Sequence, residues 1–183
     1  MADGLFYEDT REPHFVSNVT SVTLAATAKA IYPAAAFPTL GAGYFSRPGK
    51  AIKITGSILW TLGVAPGNIS FNILWGTGAD ANGTVLLTGT PVAATNATKC
   101  SVFEVVVRCI TTGTSGSLAA HYMHLINVGI VASPNFIDFA PAGVVIAGVT
   151  ADTTASNIVS VQALQSAANS TLIVDWLQVE ALN

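Results

Sequence analysis

From residue 15 onward, apolar and polar side chains alternate along the chain, and sequences typical of turns separate the alternating segments. Residues 50–62 form one such segment, a turn sequence follows at 65–68, and a second segment occupies 69–75. The apolar face of the first segment comprises Ile52, Ile54, Ile58, Trp60 and Leu62. Because successive side chains of a strand point to opposite faces, this pattern predicts β-strands that each bury one face.

Similar segments recur through the rest of the chain, at 84–92, 100–110, 118–131, 157–164 and 171–182. No segment has the period of a helix of three turns. We therefore predict an all-β protein, a jelly-roll-like antiparallel β-sandwich of about 8–10 strands.

The first residues have neither a strand nor a helical period, and they combine charges with aromatic side chains. We predict an extended N-terminal arm over 1–14 and a single β-sandwich domain over 15–183. A disordered terminus is the alternative interpretation of the first segment, since chain ends are often poorly ordered.

The composition excludes several classes of function. Hydrophobic residues make up 51% of the chain and charged residues only 9%, against about 25% charged in average globular proteins. No apolar run approaches the roughly 18–20 residues that a membrane-spanning helix needs, and the acidic N-terminus does not resemble a signal peptide. With a net charge of −3 and seven Lys or Arg residues, the chain lacks the basic surface that nucleic-acid binding requires. We expect neither a membrane nor a nucleic acid as partner.

Cysteine and histidine spacing argues against a disulfide and a metal site. Cys100 and Cys109 are nine residues apart on one predicted strand, so their side chains face opposite ways. Their α-carbons would lie about 30 Å apart, whereas a disulfide needs about 5.5 Å. We therefore expect free, buried thiols. His121 and His124 are three apart and also face opposite sides, so we expect no shared metal ion.

The remaining polar residues suggest no catalytic site. The Gly-rich sequence 113–117 precedes a strand and lacks the lysine of a phosphate-binding loop, so it predicts a hairpin turn. Glu104 and Arg108 are four apart and share a strand face, which meets either water or the next subunit. Asp175 stands in an apolar strand and is expected to pair with an Arg or Lys from a neighbouring strand or subunit. No serine-hydrolase elbow occurs and the carboxylates are scattered, so we expect no enzyme and no cofactor.

Three stretches resemble one known group of proteins. "RPGKAIKITGSILWTLGVAPGNISFNILWG", "CSVFEVVVRCITTGTSGSLAAH" and "STLIVDWLQVEALN" are similar to segments of tailed-bacteriophage virion structural proteins, and the similarity covers residues 15–183. The resemblance implies a jelly-roll component of a phage head or tail, often trimeric. It brings no functional residues with it.

From this resemblance we expect a non-enzymatic capsid decoration (cement) protein, made in the host cytoplasm and located on the capsid surface of the virion. It would act as a homotrimer that binds and reinforces a phage head, with the major capsid protein or another virion protein as partner. The candidate contacts lie in or beside the arm and are Leu5, Phe6, Tyr7, Arg11, His14 and Phe15.

The alternative function is a receptor- or carbohydrate-binding module of a phage tail or head fibre. Such a module stacks sugars on exposed aromatic rings. Trp60 and Trp75 fall on apolar strand faces, which predicts that they belong to the core. Tyr44, Phe45 and Tyr122 are then the remaining candidates for stacking.

Overall fold

The structure, a computed structural model, describes residues 14–17, 21–33, 39–77, 83–96, 98–125, 136–138 and 148–182. Within them the chain forms strands and no helix. The strands are β1 (His14–Ser17), β2 (Val22–Thr23), β3 (Lys29–Ala30), β4 (Ala51–Thr61), β5 (Asn68–Gly76), β6 (Thr84–Thr88), β7 (Val92–Ala93), β8 (Thr98–Thr111), β9 (Ser117–Leu125), β10 (Phe136–Asp138), β11 (Val149–Thr150), β12 (Ile158–Gln165) and β13 (Thr171–Leu182).

The strands form two antiparallel sheets. The larger has the order β1-β13-β4-β8-β9-β10, with β2 also paired to β13 and β11 to β9. The smaller has the order β3-β12-β5-β6, with β7 also paired to β5. Strands from the two halves of the chain interleave, since β4 lies beside β13 and β5 beside β12. The predicted jelly-roll-like β-sandwich is confirmed.

The long strands coincide with the alternating segments of the sequence, whereas the short ones were not predicted. Thirteen strands are present in the described residues, and four of them, β2, β3, β7 and β11, have two residues each. Two residues are too few to show an alternation, which is why the sequence predicted about 8–10 strands. The additional strands lie beside β13, β12, β5 and β9, so they extend the sheets without changing the architecture.

Aromatic side chains from both sheets meet in the core. Phe71 of the smaller sheet stacks on Tyr122 of the larger, with ring centroids 5.0 Å apart, and meets Trp60 edge-on at 5.8 Å. Phe103 also stacks with Tyr122, with ring centroids 6.1 Å apart. All four rings are buried, and burial of a large apolar side chain stabilises a fold by roughly 1.5–3 kcal/mol. These rings therefore fix how the two sheets lie against each other.

A β-bulge in β13 decides which side chains of this strand reach the core. The register with β4 shifts between Val174 and Trp176, which leaves Asp175 as the extra residue. Val174 before the bulge and Leu177 and Val179 after it are all buried in the core. Without the extra residue, the two later side chains would point away from it. Trp176 consequently lies on the opposite side of the sheet, across from Ser57.

Hydrogen bonds join the loop after β4 and the start of β5 to the end of β12 and the loop after it. Gln165 is fully buried, and its Nε2 donates to the Pro66 carbonyl and to Ser170 Oγ, both at 2.7 Å. The Asn68 amide donates to Ser166 Oγ at 2.9 Å. Because buried polar groups are costly when unsatisfied, these bonds hold this end of the sandwich together.

Candidate functional site

The side of the larger sheet that faces away from the smaller sheet is the candidate functional site, which we call the outer face. Three neighbouring strands, β13, β4 and β8, provide most of it, because each turns every second residue away from the core. On β4 it consists of Lys53, Thr55, Ser57 and Leu59, and on β8 of Cys100, Val102, Glu104, Val106, Arg108 and Ile110. His121 of β9 and Ile173, Trp176, Gln178 and Glu180 of β13 complete it.

One end of the outer face is charged. Lys53 lies opposite Glu180 on the neighbouring strand, and its Nζ is 2.9 Å from Glu180 Oε2. The hydrogen bond to Glu180 raises the pKa of Lys53, and the charges of Glu180 and Glu104 raise it further, while partial burial acts in the other direction. Lys53 is therefore a cation at neutral pH. The two paired side chains are 30% and 35% exposed, so water screens their attraction.

The other end of the outer face is apolar. Val102 is 43% exposed, and Leu59, Ile173 and Trp176 are half-buried. Ser57 separates Val102 from Trp176 in one row across the sheet, and Leu59 faces Ile173 in the next. Several apolar side chains within reach of water on one face are typical of a contact surface rather than of a solvated face.

Along β8, apolar and charged residues alternate on the outer face. The order is Val102, Glu104, Val106, Arg108 and Ile110, of which Glu104 is half-buried and Arg108 exposed. The prediction that Glu104 and Arg108 share a face is confirmed. Four residues of a strand span roughly 13 Å, so these two side chains do not pair with each other within one chain.

The predicted contact residues of the arm remain a prediction. Leu5, Phe6, Tyr7 and Arg11 lie outside the described residues. His14 and Phe15 are in β1, where their backbones pair with Val179 and Gln178 of β13. The first described strand thus begins at 14 rather than 15.

The cysteines and histidines are distributed as their spacing predicted, with one difference. Both thiols are free, and Cys109 is buried while Cys100 is exposed, which confirms their opposite faces. The expectation that both are buried is wrong, because Cys100 lies on the outer face. Burial raises the pKa of the Cys109 thiol, which makes it a poor nucleophile. On β9, the backbones of His121 and His124 pair with Val106 and Phe103, which face opposite ways.

The pairing of Asp175 with an Arg or Lys of a neighbouring strand or subunit stays a prediction, but the burial from which it was expected is absent. As the extra residue of the bulge, Asp175 is exposed, so water solvates its carboxylate and no buried partner is needed.

The hairpin at 113–117 is confirmed, since it joins the antiparallel strands β8 and β9 and includes Gly113 at a φ of 115°.

The aromatic residues expected to stack sugars are in the core. Tyr44 is 5% exposed, and Phe45 and Tyr122 are completely buried, so this prediction is wrong. Burial also raises the pKa of the Tyr122 hydroxyl well above its usual range. The core positions of Trp60 and Trp75 are confirmed, and their indole N–H groups donate to Ser101 Oγ at 2.6 Å and the Asp152 carbonyl at 2.8 Å.

A buried lysine was not predicted. Lys50 is 2% exposed, and its Nζ lies 4.4 Å from the centroid of the Tyr44 ring, an attractive cation–π contact. The turn that starts β4 places it there. Gly49 has a φ of 87°, its amide donates to the Cys109 carbonyl, and the Cys109 amide donates to the Lys50 carbonyl, both at 2.8 Å. The Pro-Gly sequence before β4 is typical of such a turn, because glycine readily takes a positive φ.

Neither a metal centre nor a membrane span is found in the described part of the chain. No three His, Cys, Asp or Glu side chains there could hold a metal ion together. No helix of these residues is long and apolar enough to cross a membrane.

Comparison with known proteins gives only distant similarities. No protein-family model matches this chain, and no curated protein matches it significantly. Among solved structures, a mutant of the alginate lyase Aly36B in complex with alginate trisaccharide is 10% identical, with a TM-score of 0.36 over 89% of this chain and 81% of the lyase chain. Peanut lectin with a bound peptide is 10% identical, with a TM-score of 0.34 over 98% of this chain and 95% of its own. Similarities at this level carry no argument about what the chain does.

Proposed function

We propose that the chain is a non-enzymatic structural protein of a phage virion, a capsid decoration (cement) protein that binds and reinforces the head as a homotrimer. Its partners are further copies of itself and the major capsid protein or another virion protein. In this role the chain contributes surfaces for contact and a rigid domain, and it carries out no reaction.

The observation that carries the proposal is the outer face. Val102, Leu59, Ile173 and Trp176 form an apolar patch there that is partly open to water, beside the Lys53–Glu180 ion pair. Protein contact surfaces combine an apolar centre with charged groups near the rim. The sequence resemblance to virion structural proteins supports the same function.

The aromatic and charged residues before and at the start of β1 are proposed to bind the shell. Leu5, Phe6, Tyr7, Arg11, His14 and Phe15 combine apolar rings with charge, as contact residues commonly do. Because β1 pairs with β13 from His14 onward, a truncation that keeps every strand of the described residues removes 1–13.

Co-sedimentation with purified heads that lack the decoration tests this role. The full chain should sediment with the heads, and a variant without residues 1–13 should stay in the supernatant while keeping its thermal unfolding midpoint. Arg11→Ala is a milder variant with an expected intermediate loss. Failure of the full chain to bind any head or tail preparation would refute the proposal, whereas undiminished binding of the truncated chain would refute only the role of the arm.

A carbohydrate-binding module of a tail or head fibre is the second candidate, and Trp176 is the observation that favours it. Its ring is half-buried on the outer face, beside Gln178 and across from Ser57. An aromatic surface with hydrogen-bonding groups next to it is a combination that binds sugar rings. A glycan array tests it: a bound glycan whose signal is lost in Trp176→Ala supports this candidate, and an array without signal excludes it.

A further inference from the structure

We infer that the outer face binds a second copy of this chain around a two-fold axis that passes over Val106 of β8. In this arrangement the outer faces of the two copies face each other. The axis lies midway between them, parallel to the sheets and perpendicular to β8, so that β8 of one copy runs antiparallel over β8 of the other. The inference rests on the proposed function and adds to it a two-fold contact, distinct from the proposed three-fold one, through which single chains or whole trimers pair.

Charge complementarity on β8 is the first argument. Glu104 and Arg108 are each two residues from Val106, on either side of it. Rotation by 180° about the axis exchanges these two positions, so Glu104 of each copy meets Arg108 of the other. Two ion pairs of opposite direction form together, as expected for a contact that uses the same surface on both partners. Rotation about an axis parallel to β8 would instead place each charge opposite its own copy, which is unfavourable.

The apolar positions of β8 have the same symmetry. Val102 and Ile110 are each four residues from Val106, and Ile110 is the extra residue of a β-bulge, because the register of β8 with β9 shifts between Cys109 and Thr111. The exposed Val102 of one copy therefore meets the bulge of the other, where Ile110 is half-buried. Val106 meets its own copy on the axis. The outer positions of the strand thus read apolar, acidic, apolar, basic, apolar in one direction and apolar, basic, apolar, acidic, apolar in the other. Two sheets that pack face to face stand about 10 Å apart, a distance that side chains of this length fill.

The row of side chains on the axis does not oppose the contact. Lys53 and Glu180 lie in the same row as Val106 on one side of it, and His121 lies in that row on the other side. The rotation brings Lys53 near Lys53 of the other copy and Glu180 near Glu180 of the other copy. The 2.9 Å ion pair within each chain nevertheless makes this part of the face neutral overall. In the contact, Lys53 of one copy can also reach Glu180 of the other. The row therefore presents two neutral pairs to each other.

The sedimentation behaviour of the purified chain tests the inference, together with exchange of the two charges. The wild type should sediment at twice the 18.8 kDa of one chain, or at six times that mass where trimers associate in pairs. Glu104→Arg should lose this pairing, because two arginines then face each other at both contacts. Arg108→Glu should lose it as well. The double variant E104R/R108E should regain it, since both pairs are restored with the charges exchanged.

Mixing gives the sharpest result. A chain with Glu104→Arg has two bases on β8 and a chain with Arg108→Glu has two acids, so the two variants should pair with each other although neither pairs with itself. Val64→Asp, at a position 79% exposed and away from this face, is the control and should leave the pairing unchanged. Thermal unfolding midpoints establish that each variant is folded before its mass is interpreted.

Two outcomes would overturn the inference. One is a wild type that stays a monomer or a trimer without even-numbered species at high concentration; the other is a pairing that folded Glu104→Arg chains keep. A wild type that stays monomeric and binds a glycan belongs to the first outcome, and the outer face would then be a sugar-binding surface. This test needs only the purified chain. If the purified chain pairs but virus particles do not contain it, the proposed function is refuted and the inferred contact stands.

Discussion

Phe71 of the smaller sheet stacks on Tyr122 of the larger, with ring centroids 5.0 Å apart and an angle of 28° between the ring planes. This contact spans the core between the sheets, and both rings are buried. It joins the smaller sheet to β9, the strand that contributes His121 to the outer face.

Replacement of Phe71 by alanine should therefore strongly destabilise the domain. Removing a buried ring of this size costs about 3–5 kcal/mol, and the loss should appear as a lower free energy of unfolding in urea. Val85→Ala on the adjacent β6 is the control, since Val85 is 43% exposed and should change stability by less than about 0.5 kcal/mol. Equal effects of the two substitutions would contradict the assigned core.

The Gln165 amide should stabilise the end of the sandwich through its hydrogen bonds. Gln165→Met keeps the length of the side chain but removes the donor to the Pro66 carbonyl and Ser170 Oγ. We expect a loss of about 1–3 kcal/mol, measured by chemical denaturation. Gln178→Met on the outer face is the matched control, and a loss as large as that of Gln165→Met would show that the amide has no special role.

Deletion of Asp175 should be far more damaging than its replacement. Without the extra residue of the bulge, Leu177 and Val179 would turn away from the core or Val174 would do so. We expect the deletion variant to be unfolded or insoluble, and Asp175→Ser to unfold at nearly the wild-type temperature because the side chain is exposed. A folded deletion variant would mean that the register of β13 is not set by the bulge.

Asp152 should titrate below its usual range. Thr154 donates to Asp152 Oδ1 from its hydroxyl at 2.6 Å and from its amide at 2.8 Å, and these bonds lower the pKa of Asp152 from 3.8. Because the folded pKa is depressed, the stabilisation is present above about pH 4 and is lost as the pH falls through the folded value. Thr154→Val should raise the NMR titration midpoint of this carboxyl, and Thr154→Ser should not.

The sequence predicted those parts of the fold that depend on one strand at a time. The alternation over 50–62 placed Trp60 in the core, and the four-residue spacing placed Glu104 and Arg108 on one face. It failed where two strands decide together. The bulge that turns Trp176 outward depends on the register of β13 with β4, and no single-strand pattern shows it.

The buried position of Lys50 could not be predicted for a similar reason. A lysine at the start of a strand is ordinarily exposed. Its burial depends on the Tyr44 ring beneath its ammonium group, a contact that the turn before β4 creates. The outer face as a surface likewise emerges only when β13, β4 and β8 lie side by side.

The location and copy number of the chain in virus particles purified from the source of the gene test the central claim most directly. Quantitative mass spectrometry gives the number of copies per particle, and immunogold electron microscopy gives their position. A decoration protein should be present in many copies spread over the head. A few copies at one vertex would indicate the fibre alternative, and particles without the chain would contradict a role in the virion.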